Sequence, residues 1–313
     1  MTVAHNSDIH MNMNGVNSDS DIKLYIKMVY EYLVSKNIDH YILNGDISWE
    51  PHQINLYRNE MVNTLGSDMG FHYTNGNHDI SNGNGYLVKD YVSLNTKDPL
   101  HLKNSPIVLG EKVIIGMDTL YDYSYFNIDM LDVNRMKPSD LDKMYALSNE
   151  RILDDHFISW EDVKQISDSC IASAESLIKQ YKDKEVVFMT HYMPKKEFVS
   201  GNTQQDMHLA LKNAFMGTSS IGEMLERNNV STCYFGHTHR RFTGMINNVE
   251  YYCHPVGTQE DWEKFSTKHK VRDFTVYTKL DSSDVVQLLD TYNPSESVLN
   301  LFLQTVETMQ FID

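Results

Sequence analysis

The chain is poor in cysteine, with three in 313 residues, and it has no long apolar run. Cys170, Cys233 and Cys253 form no C-x-x-C pair, which argues against a disulfide framework and against a thiolate zinc site. No stretch approaches the roughly 18 uninterrupted apolar residues of a membrane helix. The first residues lack the basic and apolar regions of a secretory signal. We therefore expect a soluble, cytoplasmic protein with no membrane partner.

Basic residues are also scarce, since 27 lysines and arginines stand against 43 aspartates and glutamates, and the net charge is −16. Such a surface repels long polyanions, so duplex nucleic acid and anionic membranes are disfavoured as partners. A small phosphorylated substrate is still compatible with this charge, because a bound metal ion can reverse the local field. We expect a partner of that kind.

A strand–helix alternation opens the chain, whose hydrophobic fraction of 41% is that of a globular protein. Strands are predicted at residues 2–7, 41–44 and 71–74, and helices at 20–36 and 51–65. The carboxyl ends of parallel strands meet at one edge of a sheet. Polar residues that follow these strands should therefore converge.

The rest of the chain continues this α/β pattern with one interruption. Further strands are predicted at 106–109, 113–117, 185–189, 231–235, 242–246, 249–253, 274–277 and 285–289. Helices are predicted at 163–181 and at 295–309, and helical segments are predicted between the loop at 195–206 and about residue 228. The segment 118–160 is rich in tyrosine and aspartate and reads either as a cap beside the site or as a solvated surface elaboration.

Short polar motifs follow five of the predicted strands. They are Asp8-x-His10, Gly45-Asp46, Gly76-Asn77-His78-Asp79, Thr190-His191 and Gly236-His237-x-His239. Carboxylate, amide and imidazole ligands without thiolates suit Mn, Fe, Zn, Co or Ni, and a bridging carboxylate allows two ions. The sequence therefore predicts a metal site built from strand ends.

These five motifs, in this order, resemble the calcineurin-like metallophosphoesterase family. The resemblance implies an α/β fold, a four-layer αββα sandwich of two mixed β-sheets. It places the family domain at residues 1–290 with the cap insertion at 118–160. Residues 291–313 are then a C-terminal helical extension.

The resemblance also implies a role for each motif residue and two divalent or trivalent ions. Asp8, His10 and His239 would bind one ion, Asn77, His191 and His237 the other, and Asp46 would bridge them. His78 would serve the substrate and its leaving group, and Asp79 would orient His78. The implied reaction is hydrolysis of a phosphate monoester or diester by a metal-bridging hydroxide.

Two other functions are compatible with this resemblance. One is a Mn-dependent nuclease of the same superfamily, which the acidic surface disfavours. The other is a non-catalytic scaffold, which the intact His78 disfavours.

Several residues near the motifs have alternative interpretations. Asn77 could simply shape a turn, and Asp79 could cap a helix. The neighbouring cations could grip phosphate or be solvated surface charge: Lys195, Lys196, Arg240 and Arg241. The family often has Asn-Pro-Gly where this chain has His254-Pro255-Val256-Gly257.

Overall fold

The computed structural model describes residues 1–80, 97–126, 160–199 and 207–313. Contacts divide the chain into two compact units. The first comprises the described residues of Met1–Asn82, His239–Phe242 and Cys253–Asp313, and the second those of Gly83–Thr238 and Thr243–Tyr252. Among the helices in these ranges, none is both long and apolar enough to cross a membrane.

The first unit is built on a four-stranded mixed sheet. Its strands and those of a separate hairpin are β1 (Val3–Asn6), β2 (His40–Asn44), β3 (Gly70–Thr74), β10 (Lys268–Val271), β11 (Phe274–Tyr277) and β12 (Gln310–Ile312). Its helices are α1 (Asp19–Ser35), α2 (Pro51–Leu65), α3 (Asn77–Ile80), α7 (Gln259–Phe265), α8 (Ser282–Tyr292) and α9 (Glu296–Thr308). The sheet order is β12-β1-β2-β3, in which β1, β2 and β3 are parallel and β12 is antiparallel to β1.

Local sequence explains where the first two helices begin and which face α1 buries. The side chain of Ser18 caps α1 by accepting a hydrogen bond from the Asp21 N–H at 3.1 Å. Proline at the first position starts α2, where its missing N–H costs nothing. The apolar residues at helical spacing are buried, as predicted: Ile22, Ile26, Val29 and Leu33.

Strand β1 is buried although two of its four residues, His5 and Asn6, are polar. The Asn6 side-chain amide donates to the Thr305 carbonyl at 3.0 Å and to the Thr308 hydroxyl at 3.2 Å, both on α9. A buried polar group costs little once it is hydrogen-bonded. Hydrogen bonds to α9 therefore offset the cost of burying the polar side chain of Asn6 in β1.

The second unit is built on a six-stranded mixed sheet. Its strands are β4 (Ile107–Leu109), β5 (Lys112–Gly116), β6 (Glu185–Met189), β7 (Thr232–Phe235), β8 (Phe242–Ile246) and β9 (Val249–Cys253), and its helices α4 (Trp160–Gln180), α5 (Met207–Ala214) and α6 (Ser219–Arg227). The sheet order is β4-β5-β6-β7-β9-β8, with β5, β6 and β7 parallel and β4 antiparallel to β5. The predicted α/β class with two mixed sheets is confirmed.

One predicted strand is wrong, since residues 285–289 lie within helix α8. The run Val-Val-Gln-Leu-Leu suits either structure by composition, but the Asp281 side chain accepts from the Ser283 N–H and caps a helix. The strands β10 and β12 were not predicted, because β10 is largely polar and β12 has only three residues.

Most of the predicted insertion, residues 127–159, lies outside the described residues. Its first part is described and carries a buried aromatic cluster that includes Tyr121, Tyr123, Tyr125 and Phe126. The extension predicted at 291–313 contains α9 and then β12, which pairs with β1. The proposed domain boundaries and the cap stay predictions.

Candidate metal centre

Within the first unit, the predicted site residues follow directly on parallel strands. Asp8 and His10 come after β1, Asp46 comes after β2, and Asn77 and His78 begin α3 just past β3. Asp8, His10 and Asp46 are fully or almost fully buried, whereas Asn77 and His78 are half-buried. The carboxyl edge of one sheet thus brings together residues that are far apart in sequence.

Three donor atoms of the first unit surround a common point. The Nε2 atoms of His10 and His239 are 2.8 Å apart, and Oδ1 of Asp8 lies 3.9 Å from the first and 3.6 Å from the second. Donors that share one ion at about 2.0 to 2.2 Å stand about 3 to 3.6 Å apart at octahedral or tetrahedral angles. The trio of Asp8, His10 and His239 therefore has the donor chemistry for a divalent cation, and its separations of 2.8 to 3.9 Å bracket the required spacing.

Asp46 belongs to a second group of donors beside this trio. Its Oδ2 lies 3.6 Å from Nε2 of His10 and 3.7 Å from Nε2 of His78, and its Oδ1 accepts from the His78 backbone N–H at 3.0 Å. One ligand atom from each of His10, Asp46 and His78 lies within 4.8 Å of the others. Asp46 thus lies within reach of both His10 of the trio and His78.

The site residues hold backbone conformations that L-residues rarely adopt. Left-handed φ angles occur at Asp8 (58°), His10 (40°), Asp46 (59°), His237 (68°) and His239 (52°). Residues held in this region cost about 1 to 3 kcal/mol each and cluster at functional sites. Five such residues among the predicted ligands point to a role other than stability.

Asp79 binds backbone rather than occupying the ligand group. Its carboxylate accepts N–H bonds from Asp46 at 2.7 Å, Ile47 at 2.9 Å and Gly76 at 2.9 Å. Burial raises the pKa of Asp79 to about 6, with Arg58 opposing and the Asp46 charge adding to the rise. These bonds tie the loop after β2 to the turn after β3, and orientation of His78 by Asp79 stays a prediction.

The sequence analysis missed Asp261, which touches the trio. Nδ1 of His239 donates to Oδ2 of Asp261 at 3.0 Å, and the Thr258 N–H and hydroxyl donate to the same oxygen at 2.9 and 2.8 Å. A neutral imidazole that donates from Nδ1 keeps its lone pair on Nε2, the atom that faces Asp8 and His10. The Thr258-x-x-Asp261 spacing is a capping-box signal for α7, but it does not indicate the contact with His239.

Electrostatics in the trio favour a positive charge. Burial alone would lower the pKa of His239, but the hydrogen bond to Asp261 and the charges of Asp8 and Asp46 raise it above its usual value. Burial alone would raise the pKa of Asp261, but His239 and the Thr258 donors hold it well below its usual range. The carboxylates that stabilise a proton on His239 would also stabilise a metal cation bound there.

In the second unit, His191 follows β6 and His237 follows β7, and their ring centroids are 5.3 Å apart. Nε2 of His237 lies 3.2 Å from the Phe215 carbonyl oxygen, to which it can donate, leaving Nδ1 as the lone-pair atom. The Tyr192 ring packs 4.8 Å from the His237 ring. These two imidazoles are thus adjacent, as the motif order predicts.

The four cations near the motifs differ in their surroundings. Lys195 is buried in an ion pair with Glu226, so it is neither a solvated charge nor available to a phosphate. Arg241 donates to Gln304 at 3.0 Å and lies over the Phe265 ring. Lys196 and Arg240 are exposed.

The backbone of Val256 and Gly257 supports the first strand end. Their N–H groups donate to the carbonyl oxygens of Ser7 and Asp8 at 2.9 Å each. The segment that departs from the family pattern therefore still holds Asp8 through backbone atoms, which do not depend on the side chain of His254.

Known proteins resemble this chain in sequence pattern and in fold. Residues 1–241 match the family described as calcineurin-like phosphoesterase, whereas no curated protein matches the chain in sequence. The chain is similar in structure to the phosphopantetheinyl hydrolase of Mycobacterium tuberculosis, with 18% identity, a TM-score of 0.62, and coverage of 85% of this chain and 93% of that one. It is also similar to a dimetal phosphatase from Danio rerio, with 9% identity, a TM-score of 0.45, and coverage of 81% and 86%. The first likeness shows a shared fold.

Proposed function

Because the chain belongs to the calcineurin-like phosphoesterase family, we propose that it is a metal-dependent hydrolase of a phosphate monoester or diester. The observation that carries the proposal is the spacing of 2.8 to 3.9 Å among the donor atoms of Asp8, His10 and His239. Family membership supports a hydrolase, and the donor set supports metal binding at this point.

Two ions would be held by the residues of the five motifs. Asp8, His10 and His239 would hold one, and Asp46 would be shared with a second. The family pattern assigns that second ion to Asn77, His191 and His237. When bound, such ions lower the pKa of a shared water and polarise the phosphoryl group for in-line attack.

The chain's own residues would supply binding and proton transfer. His78 is 12% exposed and presents Nε2 next to Asp46 Oδ2, so its imidazole can reach both the site and solvent. A protonated His78 can stabilise charge on the phosphoryl oxygens or give its proton to the departing oxygen. No protein nucleophile is required by this scheme.

The acidic composition of the chain disfavours long polyanions as substrates. With a net charge of −16, the chain repels long polyanions, whereas two bound cations against Asp8 and Asp46 give a locally positive centre. We propose a small phosphorylated substrate for this centre.

Elemental analysis combined with turnover tests the proposal. Purified chain, supplied with Mn²⁺ or Zn²⁺, should bind metal and hydrolyse an aryl phosphate monoester or diester. Asp8→Asn should lose metal, and His78→Ala should keep its metal while losing turnover by roughly 10²- to 10⁴-fold on a phenyl ester, whose leaving group needs a proton. Asp183→Asn, a surface substitution, is the matched control and should change neither quantity.

Three outcomes would contradict this function. Metal-loaded protein without turnover on either ester would favour the scaffold. Hydrolysis of single-stranded DNA that falls steeply with salt would favour the nuclease. Unchanged metal content in Asp8→Asn would refute the ligand assignment.

A further inference from the structure

A tryptophan beside the centre covers one face of His78. Trp49 lies in the loop after β2, three residues past Asp46, and its indole stacks on the His78 imidazole with ring centroids 4.5 Å apart and planes 17° apart. The His10 ring meets His78 edge-on, at 5.0 Å and 85°. The imidazole is therefore held by one stacked ring and one perpendicular ring.

The loop that carries Trp49 is tied down on both sides of the indole. The Trp49 N–H donates to Oδ1 of Asn12 at 3.3 Å. The hydroxyl of Ser48 donates to Gln53 on α2 at 2.6 Å and accepts from the Glu50 N–H at 3.1 Å. The indole is thus presented from a hydrogen-bonded loop, so it can act as a fixed wall for His78.

The indole itself is not placed by a hydrogen bond. Its buried Nε1 has no hydrogen-bond partner among the residues that the structure describes. Trp262 gives the contrast, because it is 2% exposed and its Nε1 donates to the Val256 carbonyl at 2.9 Å. Trp262 is a core residue, whereas Trp49 is half-buried and its described ring contact is with His78.

We propose that Trp49 is a positioning residue that fixes the ring plane of His78, an assignment that rests on the proposed function. Stacking within 17° opposes rotation of the imidazole about its Cβ–Cγ bond, which would turn the ring out of this plane and move Nε2 away from its position 3.7 Å from Oδ2 of Asp46. Stacked aromatic rings attract one another beyond the effect of the area that they bury. Misplacing a reacting group by 1 Å can cost roughly 100-fold in rate.

The loss of rate caused by removing the Trp49 indole should depend on the leaving group of the substrate. A nitrophenolate departs readily without a proton, whereas an alkoxide needs one at the moment the P–O bond breaks. Loss of His78 orientation should therefore slow an alkyl phosphate far more than a nitrophenyl phosphate. A residue with only a structural role would affect both substrates equally.

Kinetics of metal-loaded variants test this assignment. Trp49→Ala should lower kcat on an alkyl phosphate by about 10- to 100-fold and on nitrophenyl phosphate by only a few fold, with KM and metal content unchanged. Trp49→Phe should restore most of the rate, because phenylalanine can stack on the imidazole. In a His78→Ala background, Trp49→Ala should have no further effect. The surface substitution Asp183→Asn is the control and should change neither kcat nor metal content.

Fluorescence tests the same contact without catalysis. His78→Ala should expose one face of the Trp49 indole and shift the emission to longer wavelength, and the same substitution should cause no shift in a Trp49→Phe background. Equal losses on both substrates, lost metal in Trp49→Ala, or additive effects with His78→Ala would overturn the assignment. Full activity of His78→Ala would overturn the proposed role of His78 as well, whereas a deficit without coupling to Trp49 would overturn only the Trp49 assignment.

Discussion

Gly76 makes the close approach between two loops of the candidate site possible. A Cβ atom at this position would lie 2.0 Å from Oδ1 and 2.6 Å from N of Asp46, far inside contact distance. The turn after β3 and the loop after β2 can therefore meet only if residue 76 is glycine. The close contact with Asp46 is the physical reason that the motif Gly76-Asn77-His78-Asp79 begins with glycine.

Gly76→Ala should displace the Asp46 carboxylate and lower the metal bound per chain. Elemental analysis after dialysis measures this loss. Gly244→Ala is the matched control, because a Cβ there meets nothing within 4 Å, and it should leave the metal content unchanged. Full metal binding by Gly76→Ala would contradict the argument that this contact places Asp46.

Asp261 orients His239 through a hydrogen bond to the ring nitrogen that faces away from the trio. Asp261→Ala should weaken metal binding by about 10- to 100-fold, the usual effect of removing such a partner. Calorimetric titration with Mn²⁺ or Zn²⁺ measures the affinity. Because Asp261 also caps α7, Thr258→Val serves as the control that perturbs the cap while leaving the carboxylate. An equal loss in both variants would assign the effect to the helix cap instead.

Turn geometry determines how the β8–β9 hairpin reverses direction. Asn247 and Asn248 have φ angles of 49° and 67°, the left-handed pair that a two-residue hairpin turn requires. Asparagine tolerates this region better than other side chains, and glycine adopts it freely. The β8–β9 turn therefore depends on the backbone conformation of two exposed residues and not on buried side chains.

Asn248→Gly should leave the free energy of unfolding nearly unchanged, whereas Asn248→Val should lower it by about 1 to 2 kcal/mol. Urea unfolding of the two variants beside the parent chain measures both values. The pair forms its own control, since both variants lose the same exposed amide. Equal stability of the valine and glycine variants would show that the turn conformation is not limiting.

For the molecule as a whole, acid stability depends on histidines buried in their neutral form. Burial lowers the pKa of His5 on β1 to about 3, from the ordinary 6.5, with nearby His254 adding to the shift. Below pH 6.5 the unfolded chain takes up a proton that the folded chain excludes. The contribution of His5 to stability is therefore complete above about pH 6.5 and declines as the pH falls toward 3.

His5→Leu should remove up to about 1.4 kcal/mol of destabilisation per pH unit below 6.5 and move the acid unfolding midpoint to lower pH. Circular dichroism during acid titration measures the midpoint. His52→Gln replaces an exposed histidine and should not move it. A His5→Leu midpoint equal to that of the parent chain would contradict this account.

Local sequence pattern alone predicted the elements whose signals lie within their own residues. The buried parallel strands β2 and β6, the helices α1 and α2, and the β8–β9 hairpin carry their own periodicity, caps and turn residues. The order of the five motifs likewise predicted which polar residues follow strands, because parallel strands end at a common edge.

Tertiary structure alone decided the features that depend on distant partners. The run at 285–289 became helical under its Asp281 cap, and β12 exists because β1 offers an open edge to pair with. No motif indicates the contact of Asp261 or Trp49 with a site histidine, and each is placed beside that histidine by chain folding across more than twenty residues. Sequence spacing determines which donors follow a strand, but contact between distant segments is a property of packing, and packing is settled only when the whole core forms.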